Sequence, residues 1–144
     1  MLKMVAFLAP VVTLVAIIAL AVAGSFFTAS PVFILLYVLA IALAIGARRA
    51  FPPGTFRAGP PPAGQALIRR GPYRFVRHPM YSAALLLVWS AIGAHLTLWA
   101  IGLGVVVTGA VVGRVVWEEK LLRATFPDYA EYARSTRALI PYLV

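Results

Sequence analysis

Side chains able to carry ionic or acid–base chemistry are concentrated in two short stretches of the sequence. The first, residues 71–81 (GPYRFVRHPMY), combines Arg74, Arg77 and His78 with aromatic residues and two prolines. Proline holds the residue before it extended and suits the first turn of a helix. Because a helix start exposes unpaired N–H groups, this stretch predicts a loop that binds an anion such as a carboxylate. A second interpretation is that these arginines set the orientation in a membrane and contact lipid phosphates.

The second stretch, residues 114–120 (RVVWEEK), places Arg114 and Glu118 one helical turn apart. Its neighbour Glu119 is rotated by about 100° on the same helix, so the two carboxylates are expected to have different partners. Arg114 lies inside a long apolar run, and ionisable residues at such a depth are usually functional or paired in the protein interior. The alternative is an arginine that extends to the lipid headgroups while it pairs with Glu118.

Further polar and aromatic residues follow near the C-terminal end. Asp128 and Glu131 have the spacing of a capping box that opens a short helix, which gives both acids a structural role. Tyr129, Tyr132 and Thr136 recur at helical spacing and predict one face of that helix. This face is expected to pack over the loop or over a bound ring.

These groups must be positioned by a chain whose composition is typical of a membrane protein. Hydrophobic residues make up 62% of its 144 residues and charged residues only 12%, which is too apolar for a soluble domain. The 13 basic and 4 acidic residues have the balance of a nucleic-acid binder, but the arginines lie beside apolar runs, which argues against that function. The absence of cysteine excludes disulfides, thiolate metal sites and cysteine nucleophiles.

Other chemistries are disfavoured by what the sequence contains. Two histidines, His78 and the distant His95, are too few for a usual metal site. No Walker or GxGxxG loop is present, so a Rossmann domain is not expected. Apart from Ser82, which is close to His78, the serines lack a nearby histidine and acid, which argues against a hydrolase.

Uncharged runs predict an all-α, polytopic bundle of four transmembrane helices. Residues 5–27 and 31–47 are each long enough to cross the hydrocarbon layer and predict a first helical hairpin. A signal peptide is an alternative interpretation of the first run, with Lys3 as its basic start.

Residues 80–117 are too many for one span and enough for a second hairpin. We expect the break between its two helices at residues 93–97, which places the last span at 98–117. Gly102 and Gly104 mark a second position for this break.

The orientation follows from the loop 48–79, which contains seven arginines and no acid. The positive-inside rule makes this loop cytoplasmic, and crossing parity places both termini in the cytoplasm, as in a protein of a bacterial inner membrane. Parity also brings residues 74–81 and 114–120 together at the cytoplasmic end of spans three and four. The chain is therefore expected to be one membrane domain, divided into a hairpin at 1–47, a cytosolic basic loop at 48–80, a hairpin at 81–117 and a cytosolic segment with a short helix at 118–144.

Taken together, these residues resemble the integral-membrane methyltransferases typified by isoprenylcysteine carboxyl methyltransferase, with the related phosphatidylethanolamine N-methyltransferases. The resemblance covers about residues 69–144. It depends on GPYR at 71–74, RHPMY at 77–81, and a set of later residues in the family's order, namely Arg114, Glu118, Glu119, Leu122, Phe126, Tyr129, Tyr132, Arg137, Ile140 and Pro141. Ala83 and Pro127 depart from the pattern, since glycine is common at both positions, and this leaves the substrate open.

The resemblance implies that S-adenosylmethionine is the methyl donor and S-adenosylhomocysteine the product. The residues themselves predict no metal and no nucleic-acid partner. It marks Arg114 and Glu118 as candidate catalytic residues that hold and orient the acceptor headgroup. The candidate cofactor-binding residues are Arg77, His78, Pro79, Tyr81, Glu119, Tyr129, Tyr132, Ile140 and Pro141.

A site that opens into lipid predicts a lipophilic acceptor, and O-methylation of a prenylcysteine-like carboxylate is favoured. N-methylation of a phospholipid amine is the alternative, because Glu118 is available to take a proton; S-methylation is a further option. Two hypotheses give the protein no enzymatic function. One is a small four-span transporter, although the first two spans lack ionisable residues. The other is a membrane scaffold whose arginine loop gathers anionic lipid headgroups.

Overall fold

The computed structural model describes the backbone of residues 2–55 and 66–140, and the side chains of these residues from Leu8 onwards. Within these ranges the chain forms five α-helices and no strand, which confirms the all-α prediction. The helices are α1 (Leu2–Val22), α2 (Pro31–Arg49), α3 (Pro79–Ala94), α4 (Leu98–Thr125) and α5 (Tyr129–Ser135), and a short 3₁₀ turn (Gly71–Arg74) precedes α3.

The first two helices follow the predicted apolar runs. Helix α1 ends at Val22, five residues before the predicted end, and Gly24 adopts a φ of 73° in the turn that follows. Helix α2 begins at Pro31, where the missing N–H of proline costs no hydrogen bond. It continues two residues beyond the predicted run and ends on Arg48 and Arg49, whose positive charges suit the C-terminal end of a helix dipole.

The helices of the two hairpins pack against each other in pairs, α1 against α4 and α2 against α3. Helices α3 and α4 also contact each other. The buried core lies between α1, α3 and α4 and includes Leu20, Val88, Ile92, Val107 and Val111. Each helix of the first hairpin is therefore fixed by a helix of the second.

The turn between α3 and α4 falls at residues 95–97, which confirms the predicted break at 93–97. The second option, at Gly102 and Gly104, is wrong, because α4 runs through both glycines. Gly104 instead allows close packing: a Cβ there would lie 2.6 Å from Ile92 Cδ1. Helix α4 also continues past Trp117, the predicted end of the last span, to Thr125.

The outer surface of the helices is strongly apolar, with large side chains such as Leu14, Ile34 and Val105 about half exposed. Two helices, α2 and α4, are long and apolar enough to cross a membrane. The part of α1 whose side chains are described, Leu8–Val22, and helix α3 are apolar but shorter. Such a surface suits hydrocarbon and not water, so the chain is associated with a membrane.

At the end of the bundle opposite Arg48, one polar contact joins the two turns and another lies within the first hairpin. His95 Nε2 lies 2.7 Å from the Phe27 carbonyl oxygen. The Tyr37 hydroxyl donates to the Ser25 carbonyl at 3.4 Å. His95 therefore holds the α3–α4 turn against the end of the first turn.

Candidate active site

A cluster of ionic residues lies where α3 begins and where α4 passes beyond its apolar part. Because α3 and α4 are antiparallel neighbours, the stretch 74–81 meets the stretch 114–120, as the sequence predicted. Arg77 and His78 come from the extended segment before α3, and Glu118 and Glu119 come from α4. The cluster thus joins the polar stretch before α3 to the polar stretch in α4.

Glu119 accepts several hydrogen bonds through one carboxylate oxygen. Its Oε1 lies 2.6 Å from Arg77 Nε, 3.2 Å from His78 Nε2 and 2.9 Å from the Tyr129 hydroxyl. Arg123, one turn further along α4, approaches the second oxygen at 3.5 Å. Charge-assisted bonds of this kind are the stronger class, so the orientation of Glu119 is well defined.

Glu118 has a different set of partners, as its position on the helix predicted. Its Oε1 accepts from Arg114 Nε at 2.7 Å and from the Tyr81 hydroxyl at 2.9 Å. Arg114 Nε also lies 3.1 Å from the Tyr81 oxygen, and its guanidinium stands 5.2 Å from the centre of the Trp117 ring. The Arg114 side chain is only 2% exposed, so it is paired inside the protein and does not extend to the lipid headgroups.

His78 stands between the two carboxylates. Besides its contact with Glu119, its Nδ1 lies 3.5 Å from Glu118 Oε2, and its ring stacks on that of Tyr81 with centroids 5.8 Å apart. Burial alone would lower the pKa of His78, but hydrogen bonds and charge from Glu118 and Glu119 outweigh it, and the pKa is raised. The imidazole is therefore biased towards its cationic form.

The segment after α5 lies alongside the segment before α3. Val76 and Arg137 form an isolated parallel β-bridge. The Arg77 N–H donates to the Arg137 carbonyl at 2.7 Å, and the His78 N–H donates to the Ala138 carbonyl at 3.0 Å. The C-terminal segment is thereby fixed beside the ionic cluster.

The predicted face of α5 is buried, with Tyr129, Tyr132 and Thr136 all shielded from solvent. Tyr132 donates its hydroxyl to the Tyr73 carbonyl at 2.6 Å. Burial raises the pKa of Tyr132 to about 12 and also raises the pKa of Tyr129, so both phenols stay protonated and act as donors.

The predicted capping box is wrong. Asp128 stands at the N-cap of α5 but makes no side-chain capping bond. Its carboxylate instead forms an ion pair with Arg69 of the basic loop. An ion pair with a residue far away in sequence has therefore replaced the local cap.

Four further residues singled out from the sequence have different positions. Pro79 is fully buried as the first residue of α3. Ile140 is half exposed at the end of the described C-terminal segment, and Pro141 lies outside the described residues. Ser82 donates to the carbonyls of His78 and Leu139, so its hydroxyl is used structurally.

Several contacts were not predicted. The carbonyls of Ala133 and Thr136 accept from Arg77 Nη1 at 3.0 and 2.6 Å, and Arg70 Nε donates to the Ala50 carbonyl at 2.8 Å. Every residue has a backbone carbonyl, so the residue types in the sequence do not show which carbonyls accept these hydrogen bonds. In the described parts of the chain, no group of three or more His, Asp or Glu side chains is arranged to hold a metal ion.

The fold and the cluster define a class: a small helical membrane protein whose paired carboxylates, ordered by Arg, His and Tyr, stand at one end of an apolar bundle. A family model described as phospholipid methyltransferase matches residues 32–129, which includes α2, α3, α4 and the ionic cluster. The chain belongs to this phospholipid methyltransferase family, and the family indicates a methyltransferase. The suspected family is therefore confirmed.

One curated relative is the cobalt-zinc-cadmium resistance protein CzcN of Cupriavidus metallidurans. It is 35% identical over 79 residues, which are 54% of this chain and 36% of the relative. The chain thus spans about a third of the length of this relative. No solved structure matches the chain.

Proposed function

We propose that the protein transfers a methyl group from S-adenosylmethionine to a lipophilic acceptor at the cytoplasmic face of a membrane. The observation that carries this proposal is the arrangement of Glu118 and Glu119, two adjacent carboxylates that are each ordered by the segment 77–81. Side chains with fixed orientations are what an active site needs when it accelerates a reaction by holding two reactants in the correct geometry and forms no covalent bond to them.

The residues of the cluster suit the donor molecule. S-adenosylmethionine carries an ammonium group and a sulfonium, and Glu118 and Glu119 supply negative charge where 20% and 14% of their side chains remain exposed. Hydroxyl groups of a ribose also bind carboxylates well. His78, Tyr81 and Glu119 are the proposed contacts, while the buried Pro79, Tyr129 and Tyr132 shape the wall, and Ile140 with Pro141 is proposed to close it.

S-adenosylmethionine supplies a methyl group that is already activated by its sulfonium. The residues of this chain then have three tasks. Glu119 orients the methyl donor, and Arg114 with Glu118 orients the acceptor. The apolar helices exclude water, which strengthens every electrostatic contact in the site.

For the acceptor, we propose a carboxylate on a lipophilic molecule, as in isoprenylcysteine carboxyl methyltransferases. Arg114 is the cation that would hold it, because a guanidinium forms paired hydrogen bonds with a carboxylate. The family description, phospholipid methyltransferase, favours a second candidate, a phospholipid amine, for which Glu118 would take the proton that the amine must lose before attack.

The substitution Glu118→Gln separates these acceptors. An amine acceptor loses its base, so kcat is expected to fall by about 10²–10⁴-fold. A carboxylate acceptor needs no base and loses only the contact that orients Arg114, so its fall in kcat is expected to be clearly smaller. The assay is radiolabelled methyl transfer into a total lipid extract, compared with a prenylcysteine analogue. Transfer to neither acceptor, with active control enzyme in the same membranes, would overturn the proposal.

The proposed topology has four spans, with α1 and α3 crossing the membrane beside α2 and α4, and with both termini in the cytoplasm of a bacterial cell. The exposed apolar side chains of α1, α2 and α4, together with Trp89 of α3, support it. Arg48 and Arg49 at the end of α2 then lie at the cytoplasmic interface, where we propose that they contact anionic headgroups.

A further inference from the structure

Arg77 directs its side chain to two separate elements of the protein. Its Nε donates to Glu119 Oε1 of α4 at 2.6 Å. Its Nη1 donates to the Thr136 carbonyl at 2.6 Å and to the Ala133 carbonyl at 3.0 Å, both at the end of α5. Only 12% of the Arg77 side chain is exposed, so the guanidinium is largely enclosed by these partners.

The carbonyls that Arg77 binds belong to a short helix that needs support. The last carbonyls of any helix have no partner within it, and a cationic side chain there also suits the helix dipole. Helix α5 has seven residues, too few to be stable without tertiary contacts. Arg77 therefore supplies hydrogen bonds to carbonyls at this helix end, and its charge adds to that of Arg134 in the last turn.

The backbone continues the same connection. We use the term C-terminal strap for residues 133–139. In the strap, the Arg137 carbonyl accepts a hydrogen bond from the Arg77 N–H, and the Ala138 carbonyl accepts one from the His78 N–H. The Arg137 N–H returns a bond to the Phe75 carbonyl at 3.1 Å. Arg77 thus stands where the strap, the segment before α3 and Glu119 all meet.

We propose that Arg77 is a positioning residue: it fastens the C-terminal strap to Glu119 and acts on the cofactor through that carboxylate, not by binding the cofactor's own carboxylate. This assignment rests on the proposed function, and it specifies which residue keeps Glu119 and the C-terminal strap in position. The planar guanidinium is required, because its donors point in fixed directions towards acceptors on α4 and on the strap. A lysine ammonium has the same charge but cannot reach both elements in this way.

The first test is hydrogen exchange of the ligand-free, detergent-solubilised full chain. In Arg77→Gln and in Arg77→Lys, the amides of His78 and Arg137 are expected to exchange at least about tenfold faster than in the wild type, because local opening of the strap costs less free energy. Amides within α3 serve as the internal reference for intact folding. Lys120→Gln, which removes an exposed basic charge from α4 away from the strap, is the matched control and should leave the exchange unchanged.

The second test uses kinetics. Arg77→Lys is expected to raise the KM for the methyl donor by about tenfold, with the KM for the acceptor within about twofold of the wild type, since only the Glu119 side of the site is disturbed. If Arg77 held the cofactor by charge, Arg77→Lys would keep the wild-type affinity for S-adenosylhomocysteine while Arg77→Gln would lose it.

Unchanged exchange at His78 and Arg137 in both variants, or rescue of affinity by lysine, would overturn the positioning role. The exchange test needs no ligand, so it decides the role of Arg77 even if the wild-type protein does not bind S-adenosylhomocysteine. That last result would count against the proposed function instead.

Discussion

At the level of single residues, the ionisation of His78 links the candidate site to pH. The imidazole faces Glu118 and Glu119 on α4 and the ring of Tyr81, with Arg77 beside it in sequence. Its pKa is raised in the folded protein, because the two carboxylates outweigh the effect of burial. In the unfolded chain the pKa returns to about 6.5.

This shift predicts how stability depends on pH. A raised pKa in the folded state contributes stability that is fully present below about pH 6.5 and is lost as the pH rises through the higher folded-state value. The Tm in detergent is therefore expected to fall as the pH is raised from about 6 to 8 and beyond. His78→Gln should reduce this fall in Tm.

His95→Gln is the matched control for the pH profile, since His95 is exposed at the opposite end of the bundle. Its profile is the baseline against which the flattening in His78→Gln is judged. If the wild-type Tm rises over the same pH interval, the ion-pair account of His78 is contradicted.

Tyr129 gives a second prediction at this scale. Its fully buried hydroxyl donates to Glu119 Oε1 at 2.9 Å, and a hydrogen bond to a charged acceptor contributes about 1.5–3 kcal/mol. Tyr129→Phe is expected to lower the free energy of unfolding by about that amount, measured by denaturant titration in detergent.

Tyr37→Phe provides the comparison, because it removes a hydroxyl whose 3.4 Å bond goes to a neutral carbonyl. Its cost should be about 1 kcal/mol or less. Equal losses in the two variants would show that the charge on Glu119 adds nothing to the bond with Tyr129.

The individual contacts differ in how far the sequence predicts them. The pair Arg114–Glu118 follows from helical spacing alone, and the different partners of Glu118 and Glu119 follow from their rotation on α4. The partners of Arg77 in the C-terminal strap are backbone carbonyls, which leave no trace in residue types. The capping box at Asp128 was wrong because local spacing cannot show that Arg69 competes for the carboxylate.

At the level of elements, the contact between α3 and α4 depends on Gly104. A Cβ at this position would lie 2.6 Å from Ile92 Cδ1 and 3.1 Å from two atoms of the Trp89 ring. Gly104→Ala is expected to destabilise the protein by about 1–3 kcal/mol, because the overcrowded side chains must shift.

Gly109→Ala is the control on the same helix, since, apart from the adjacent backbone of α4 itself, no atom lies within 4 Å of a Cβ built there. It should stabilise α4 slightly, by up to about 1 kcal/mol, through better helix propensity. Thermal unfolding of the two variants in one detergent gives the comparison, and a Gly104→Ala protein as stable as Gly109→Ala would contradict this packing.

The helices themselves were largely predictable and their pairing was not. Long uncharged runs and the proline at the start of α2 gave elements close to those observed, and the turn at 95–97 was placed correctly. The glycines in α4 were ambiguous, because a glycine that breaks a helix and one that permits close packing look alike in sequence. The packing of α1 against α4 depends on contacts between residues far apart in sequence, and the hydrophobic periodicity of a single helix does not show which other helix it packs against.

At the level of the whole molecule, the proposed orientation makes a prediction that the absence of cysteine renders simple to test. In Arg49→Cys the thiol is expected on the cytoplasmic side, and in Leu96→Cys, in the exposed turn between α3 and α4, on the outer side. An impermeant maleimide added to intact cells should label Leu96→Cys alone, and both variants after lysis. Labelling of Arg49→Cys in intact cells would contradict the orientation.

The central claim is that the ionic cluster around Glu119 binds an S-adenosylmethionine-type ligand. The most direct measurement is calorimetric titration of the detergent-purified full chain with S-adenosylhomocysteine, using Glu119→Gln and, as the matched control, the exposed acid variant Glu131→Gln. We predict saturable binding by the wild type and by Glu131→Gln, and an affinity at least about tenfold weaker in Glu119→Gln, because a charge-assisted contact is lost. No saturable binding by the wild type at near-millimolar ligand, or equal affinity in Glu119→Gln, would contradict the claim.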